Sequence, residues 1–201
     1  MLKPTGAIVL TASQPFTSML VMSNRKMFKY EWIWEKSKSG SGFTAKYRPV
    51  NKHENILIFA KNKTIYNPQL TAGEPYSRDH KITECDINNH NIGFNKRHVK
   101  TINSGYRHPI TIQYFQQKWR RQDQLHPTQK PVGLFEYLIR TYSNEGDLVF
   151  DGFGGSGTTA IAAYRANRNF IVVEKEKKYF ETSQKRLAVE QQQCRLSTAS
   201  N

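Results

Sequence analysis

The run Asp151-Gly-Phe-Gly-Gly-Ser-Gly-Thr-Thr159 follows a short apolar stretch and opens a helical one, and Glu174 ends the next apolar stretch. Glycines let backbone approach a ligand, and a helix N-terminus offers N–H groups and positive potential. Gly152, Gly154 and Gly157 satisfy G-x-G-x-x-G. Glu174 lies about 20 residues on, where a ribose-binding acid belongs, so a dinucleotide is one candidate ligand. The spacing also approaches a phosphate-binding loop, but Thr158 occupies the Lys position, which argues against a nucleoside triphosphate. Asp151 is a poor neighbour for a pyrophosphate. It suits a ligand carrying an ammonium and a sulfonium, as S-adenosylmethionine does, and Glu174 can accept from both ribose hydroxyls. Both acids also have plain structural employments, Asp151 as a turn or helix cap and Glu174 as a surface acid beside Lys175, Lys177 and Lys178. S-adenosylmethionine, a dinucleotide and no ligand are thus three readings of one loop.

A second chemical signal is charge. The chain carries 30 Lys and Arg against 16 Asp and Glu, a formal +14, and +13 of it falls on residues 1–131. It is interleaved with Trp32, Trp34, Phe43, Tyr47, Tyr66, Tyr76, Tyr106, Tyr114, Phe115 and Trp119. Basic surface mixed with aromatics fits a polyanion with stackable bases. Lys36, Lys38, Arg120 and Arg121 are the candidate phosphate contacts.

These residues need elements to hold them. Residues 6–12 read as a buried strand, followed by a helix over 15–27 with Ser13 as its cap and Pro15 in its first turn. Residues 30–35 alternate like a half-wet strand, and 54–60 form a third strand. Residues 62–125 lack sustained periodicity and read as loops with short strands such as 110–115. Leu134, Phe135, Leu138, Ile139 and Tyr142 have helical spacing. Residues 147–151 and 169–174 read as strands flanking the glycine loop and its helix, and an amphipathic helix spans 179–196. Alternating strands and helices predict an α/β sheet with parallel strands.

The composition excludes several classes. No apolar run approaches the roughly 18 residues of a spanning helix, and the N-terminus lacks a signal-like h-region. Cys85 and Cys194 are far apart and suggest neither a metal site nor a disulfide framework, which fits a reducing cytoplasm.

His126-Pro-Thr-Gln-Lys-Pro131, the glycine loop and the acid after the next strand together resemble the site-specific DNA amino-methyltransferases, which methylate adenine N6 or cytosine N4. The front of the chain, KPTGAIVLTASQPF, YEWIWEK and KHENILIFAK, resembles strands of the same family. The resemblance implies a Rossmann-like α/β sheet in permuted order. Residues 1–61 would form the catalytic half, 62–125 a target-recognition insertion, 126–196 the cofactor half and 197–201 a frayed tail. It implies S-adenosylmethionine held by His126, Pro127, Thr128, Gln129, Lys130, Asp151, Phe153, Gly154, Gly155, Ser156, Gly157, Thr158 and Glu174. Double-stranded DNA is the implied substrate, adenine in preference to cytosine N4, with a cognate restriction endonuclease and a dimer as candidate partners and no metal. The family's catalytic Asp-Pro-Pro-Tyr is absent from the 201 residues. It is expected upstream of Met1, on a central strand between those at Leu148 and Ile8, so no catalytic residue is assigned here. The competing functions are a catalytically inactive remnant that binds DNA or cofactor, and a nicotinamide oxidoreductase.

Overall fold

The computed structural model describes residues 2–40, 42–85, 94–117 and 125–199. Two compact units divide the chain: Met1–Asn67 with Ile110–Asn201, and Pro68–Pro109. The larger unit begins with β1 (Ile8–Ala12), α1 (Phe16–Ser23), β2 (Phe28–Lys36) and β3 (His53–Phe59). The smaller unit holds β4 (Thr71–Ala72), β5 (Tyr76–Cys85), β6 (Phe94–Asn103) and β7 (Tyr106–Arg107). The larger unit resumes with β8 (Ile112–Phe115), α2 (Val132–Tyr142), β9 (Leu148–Asp151), α3 (Thr158–Arg165), β10 (Asn169–Val172) and α4 (Lys177–Ala199).

Four strands of the larger unit form a sheet in the order β1-β3-β2-β8, while β9 and β10 form a separate pair. The expected parallel pairing holds for β9–β10 and for β2–β8. It fails at β3, which is antiparallel to both β1 and β2. The physical reason is the connection: residues 37–52 return the chain without a crossover helix, so β3 comes back antiparallel. β1 and β2, joined through α1, therefore run parallel to each other with β3 between them.

β3 is covered on both faces, which is why its sequence is a continuous apolar run. Ile56 and Ile58 pack with Trp32, Trp34, Leu134, Leu138 and Tyr142, so this face meets α2. Tyr142 Oη accepts from Trp32 Nε1 at 2.6 Å and donates to Tyr30 Oη at 3.0 Å. Leu57 and Phe59 point to the opposite face, which they share with Leu10 and Ile8 across the β1–β3 register. The predicted helical stripe is the one observed, with Leu134, Leu138 and Tyr142 buried. α3 is buried nearly all round, from Thr158 to Ala163.

The ends of the two sheets are aligned by contacts with α2. Asn67 N–H donates to Thr141 O at the C-terminal end of α2, and Lys3 pairs with Asp147 at 3.2 Å just before β9. At the other end, Lys130 precedes α2 and touches both Glu54 and Thr158. β1 and β9 thus run in the same sense, both antiparallel to α2. Among the described residues β1 pairs with β3 alone and β9 with β10 alone, so each keeps an open edge. Leu148, Phe150 and Ile171 are exposed on the face that α3 does not cover, Phe150 by 69%.

Two helices differ from expectation. α1 stops at Ser23, where Asn24 accepts from Met27 N–H and Phe28 N–H to close a turn. Its first turn is served by Gln14, whose carboxamide oxygen accepts from Ser18 N–H and Oγ, and not by the Ser13 side chain. α4 continues to Ala199, into the segment expected to fray.

Within the smaller unit, β5 and β6 form a ten-residue antiparallel ribbon, where loops with short strands were expected. Where its burial is described, at residues 76–79 and 98–103, the ribbon is mostly exposed, and its sequence lacks the apolar alternation that marks a half-buried strand. β4 and β7 pair in the same unit, and the turn before β7 uses Gly105 at φ +94°, a conformation open to a residue without Cβ. Arg107 is fixed by Asn103 Oδ1 and Glu74 O and lies 4.9 Å over the Tyr76 ring.

Candidate functional site

The glycine loop joins β9 to α3 and is built by its own hydrogen bonds. Asp151 Oδ1 accepts from Phe153 N–H at 2.9 Å, and Oδ2 accepts from the Thr159 hydroxyl in the first turn of α3. Gly154 N–H donates to Val173 O at 2.9 Å, which ties the loop to the end of β10. Gly155 N–H donates to Glu174 Oε2 at 2.7 Å, and Glu176 N–H donates to Oε1 at 2.9 Å. These backbone donors, that of Glu176 first, hold the Glu174 carboxyl below its ordinary range, with the nearby His126 adding to the effect. The His126 ring stands edge-on to Tyr179, centroids 4.3 Å apart, and borders Gly155.

The 126–131 segment is a turn that bonds to itself. Gln129 N–H donates to His126 O, Leu125 N–H donates to Gln129 Oε1, and Thr128 Oγ1 lies 3.1 Å from His126 Nδ1. Pro127 and Thr128 are exposed, and His126 is half-buried. The far end of the turn is anchored by Lys130, whose carbonyl accepts from Thr158 Oγ1 at 3.3 Å.

Several residues expected to face a ligand have protein partners instead. A Cβ on Gly154 would stand 2.2 Å from Val172 Cγ1, and one on Gly157 would stand 2.6 Å from Ser183 Cβ, so both glycines are required by packing. Ser156 is buried, and its oxygens accept from Arg186 of α4. Phe153 is 94% exposed at the loop tip. The cap reading of Asp151 is therefore realised, although each of its oxygens retains a second lone pair, as do those of Glu174.

Residues 1–185 match the N6/N4 DNA methylase family. The chain belongs to the N6/N4 DNA methyltransferase family. It is 31% identical over 192 residues to the Type II methyltransferase M.HpaI of Haemophilus parainfluenzae, covering 92% of this chain and 54% of that protein. It is 28% identical over 198 residues to the DNA adenine methyltransferase YhdJ of Escherichia coli (strain K12), covering 94% and 62%. Among solved structures it resembles that of the M1.HpyAVI–SAM complex, with a TM-score of 0.62, 26% identity, and coverage of 92% of this chain and 76% of that one. The chain thus spans little more than half the length of these two curated methyltransferases.

Within this chain, the DNA-contact candidates separate. Lys38 is exposed. Lys36 is not presented for a phosphate: its ammonium lies 2.7 Å from Glu54 Oε1 and 5.4 Å above the Trp34 ring. Arg120, Arg121 and the aromatic Trp119 lie outside the described residues. Trp32 and Trp34 are buried core and unavailable for stacking, whereas Phe43 and Tyr47 are exposed in the basic 37–52 loop.

Sequence reasoning missed Glu54, Tyr179 and Arg186 as supports of the site, and the tie from Thr159 to Asp151. Glu54 sat inside a recognised strand and Thr159 inside the recognised loop, but their partners are 76 and 8 residues away in sequence. Among the described residues no three His, Cys, Asp or Glu gather as a metal site, and no helix is long and apolar enough to cross a membrane.

Proposed function

We propose that this chain carries the S-adenosylmethionine-binding and DNA-contacting parts of a site-specific adenine-N6 methyltransferase of the cytoplasm. The observation that carries the reading is the convergence of Asp151, Glu174, His126 and Gly155 on one loop that runs into α3, a helix without a side-chain N-cap. That donor set fits the cofactor: two carboxylates with spare lone pairs suit ribose hydroxyls and a cationic ligand better than a pyrophosphate. When bound, S-adenosylmethionine supplies an electrophilic methyl group on a sulfonium. Glu174 would accept from the ribose hydroxyls, Asp151 would set the loop and lend negative charge, and the 126–131 turn would flank the cofactor on the His126 side. The adenine preference is supported by the name of YhdJ, and a cognate endonuclease by the Type II designation of M.HpaI. Lys38 with the exposed Phe43 and Tyr47, and Arg120 with Arg121, are the proposed DNA contacts. The insertion at 62–125 is the proposed target-recognition region, and dimerisation is part of the same proposal.

A second reading, binding without catalysis, is favoured by one sequence fact and one structural fact. The 201 residues hold no Asp-Pro-Pro, whose carbonyl and acidic groups would accept the hydrogens of the target amine while the Tyr stacks the extruded base. β1 and β9 also keep open edges on either side of the position such a strand would take. The test is tritiated methyl transfer to adenine-containing duplex DNA, by the chain as given and by a chimaera preceded by the corresponding N-terminal segment of M.HpaI. Transfer by the chimaera alone supports the proposal with catalysis residing in the added strand. Robust transfer by the 201 residues overturns that division of labour. Calorimetry comparing S-adenosylmethionine with NAD tests the cofactor, and tighter NAD binding reverses it.

A further inference from the structure

Glu54, the second residue of β3, stands directly opposite Trp34 of β2. Its two carboxylate oxygens are taken by two different ammonium groups, Lys36 to Oε1 and Lys130 to Oε2, each at 2.7 Å. The carboxylate side chain is 13% exposed, and both lysines are largely covered. Both ammoniums also lie over the Trp34 ring, at 5.4 and 5.9 Å from its centroid. Trp34 is itself locked, with its indole N–H donating to Phe115 O at 3.0 Å. Burial works against the charge of Glu54, and the two lysines outweigh it, holding the carboxyl below its ordinary value.

The two lysines differ in what lies behind them. Lys36 ends β2 of the same sheet. Lys130 belongs to the 126–131 turn, and its carbonyl accepts from Thr158 Oγ1, the first residue of α3 after the left-handed Gly157. A bonded chain therefore runs from the four-stranded sheet, through Glu54 and Lys130, to the end of the glycine loop. Among the described residues β1 and β9 do not pair, so the two sheets share no ladder and this chain ties them at the cofactor end.

We infer that Glu54 is a positioning residue: through Lys130 it holds the 126–131 turn against the glycine loop and so sets cofactor affinity from the neighbouring sheet. The inference rests on the proposed S-adenosylmethionine site but concerns how that site is held. The substitution Glu54→Gln leaves two ammoniums half-buried around a group that carries no charge, and the turn loses its anchor.

The experiment is hydrogen exchange without cofactor, joined to calorimetry with S-adenosylmethionine, on wild type, Glu54→Gln, Lys130→Met and the double variant. Thr158→Val, which removes only the last link, guards against a misfolded Glu54→Gln. In each single variant the Gln129, Gly155 and Gly157 amides should exchange about tenfold faster, while Ile56 and Ile58 in the middle of β3 should not change. S-adenosylmethionine should bind about tenfold more weakly, and the double variant should be no worse than the weaker single, because both act on one chain. Unchanged loop amides, additive effects, or equal acceleration of Ile56 and Ile58 would overturn the inference, the last by exposing a general loss of stability. Faster loop exchange with no cofactor binding even by wild type would overturn the cofactor reading while supporting the coupling.

Discussion

The four-stranded sheet and the β9–β10 pair solve the problem of burial differently. β3 has a strand on each edge and is covered on both faces, and Leu57, Ile58 and Leu134 are inaccessible to solvent. β9 and β10 have four residues each, and α3 covers one face. Phe150 and Ile171 on the other face are exposed. The candidate cofactor loop grows from the second, thinner region. Its shape is consequently set by local hydrogen bonds (Asp151 to Phe153 and Thr159, Gly155 to Glu174, Ser156 to Arg186) more than by sheet packing. A rigid scaffold and a locally wired site are thus separate physical devices in one unit.

The largest effect should come from emptying the scaffold. Trp34→Ala should cost about 3–5 kcal/mol by leaving a cavity under α2, whereas Phe150→Ala on the exposed face should change stability by less than about 0.5 kcal/mol. Urea unfolding of both variants checks this, and equal losses would erase the contrast between the two regions. Next comes the loop. Gly157→Ala adds a left-handed φ of +80° to a 2.6 Å clash with Ser183, while Gly146→Ala has a similar φ of +77° and open space around it. Gly157→Ala should therefore cost more than Gly146→Ala by about 1–3 kcal/mol, the usual range for overpacking. Thermal melts of the pair isolate packing from backbone strain.

A smaller effect is expected from acid. The Glu54 carboxyl is depressed in the folded chain by its two lysines. Its contribution is thus fully present above the ordinary value of 4.5 and is lost as pH falls through the lower folded value. Wild type should lose more stability than Glu54→Gln over that acidic window, as measured by urea midpoints at successive pH values. Parallel curves would mean that the Glu54 charge adds nothing to the fold. The smallest stability effect belongs to the open edges: Leu10→Lys with Phe150→Lys should leave the urea midpoint nearly unchanged but lower light scattering at high concentration, because charge blunts unpaired strands. Unaltered scattering would show that these edges do not drive association.

Much of this was legible in the residue order. The Leu134, Leu138 and Tyr142 stripe foretold α2, and the apolar run in 54–60 foretold a strand; the strand expected to be buried, 6–12, instead has Ile8 and Leu10 partly exposed. The β5–β6 ribbon was not legible for the converse reason: its sequence carries no apolar alternation that would record a core face.

For function, residue order by itself determined the family, through HPTQKP, the glycine loop and the acid after the next strand, since loop and turn chemistry depends on residues that are neighbours in the chain. The tertiary structure alone decided the employment of those residues. It turned Gly154, Ser156 and Gly157 toward Val172, Arg186 and Ser183, withdrew Lys36 from the surface onto Glu54, and left β1 and β9 with edges unpaired among the described residues. Those outcomes depend on partners 18 to 30 residues away or on strand order. Distance and order in space arise from packing the whole unit, and no local pattern encodes them.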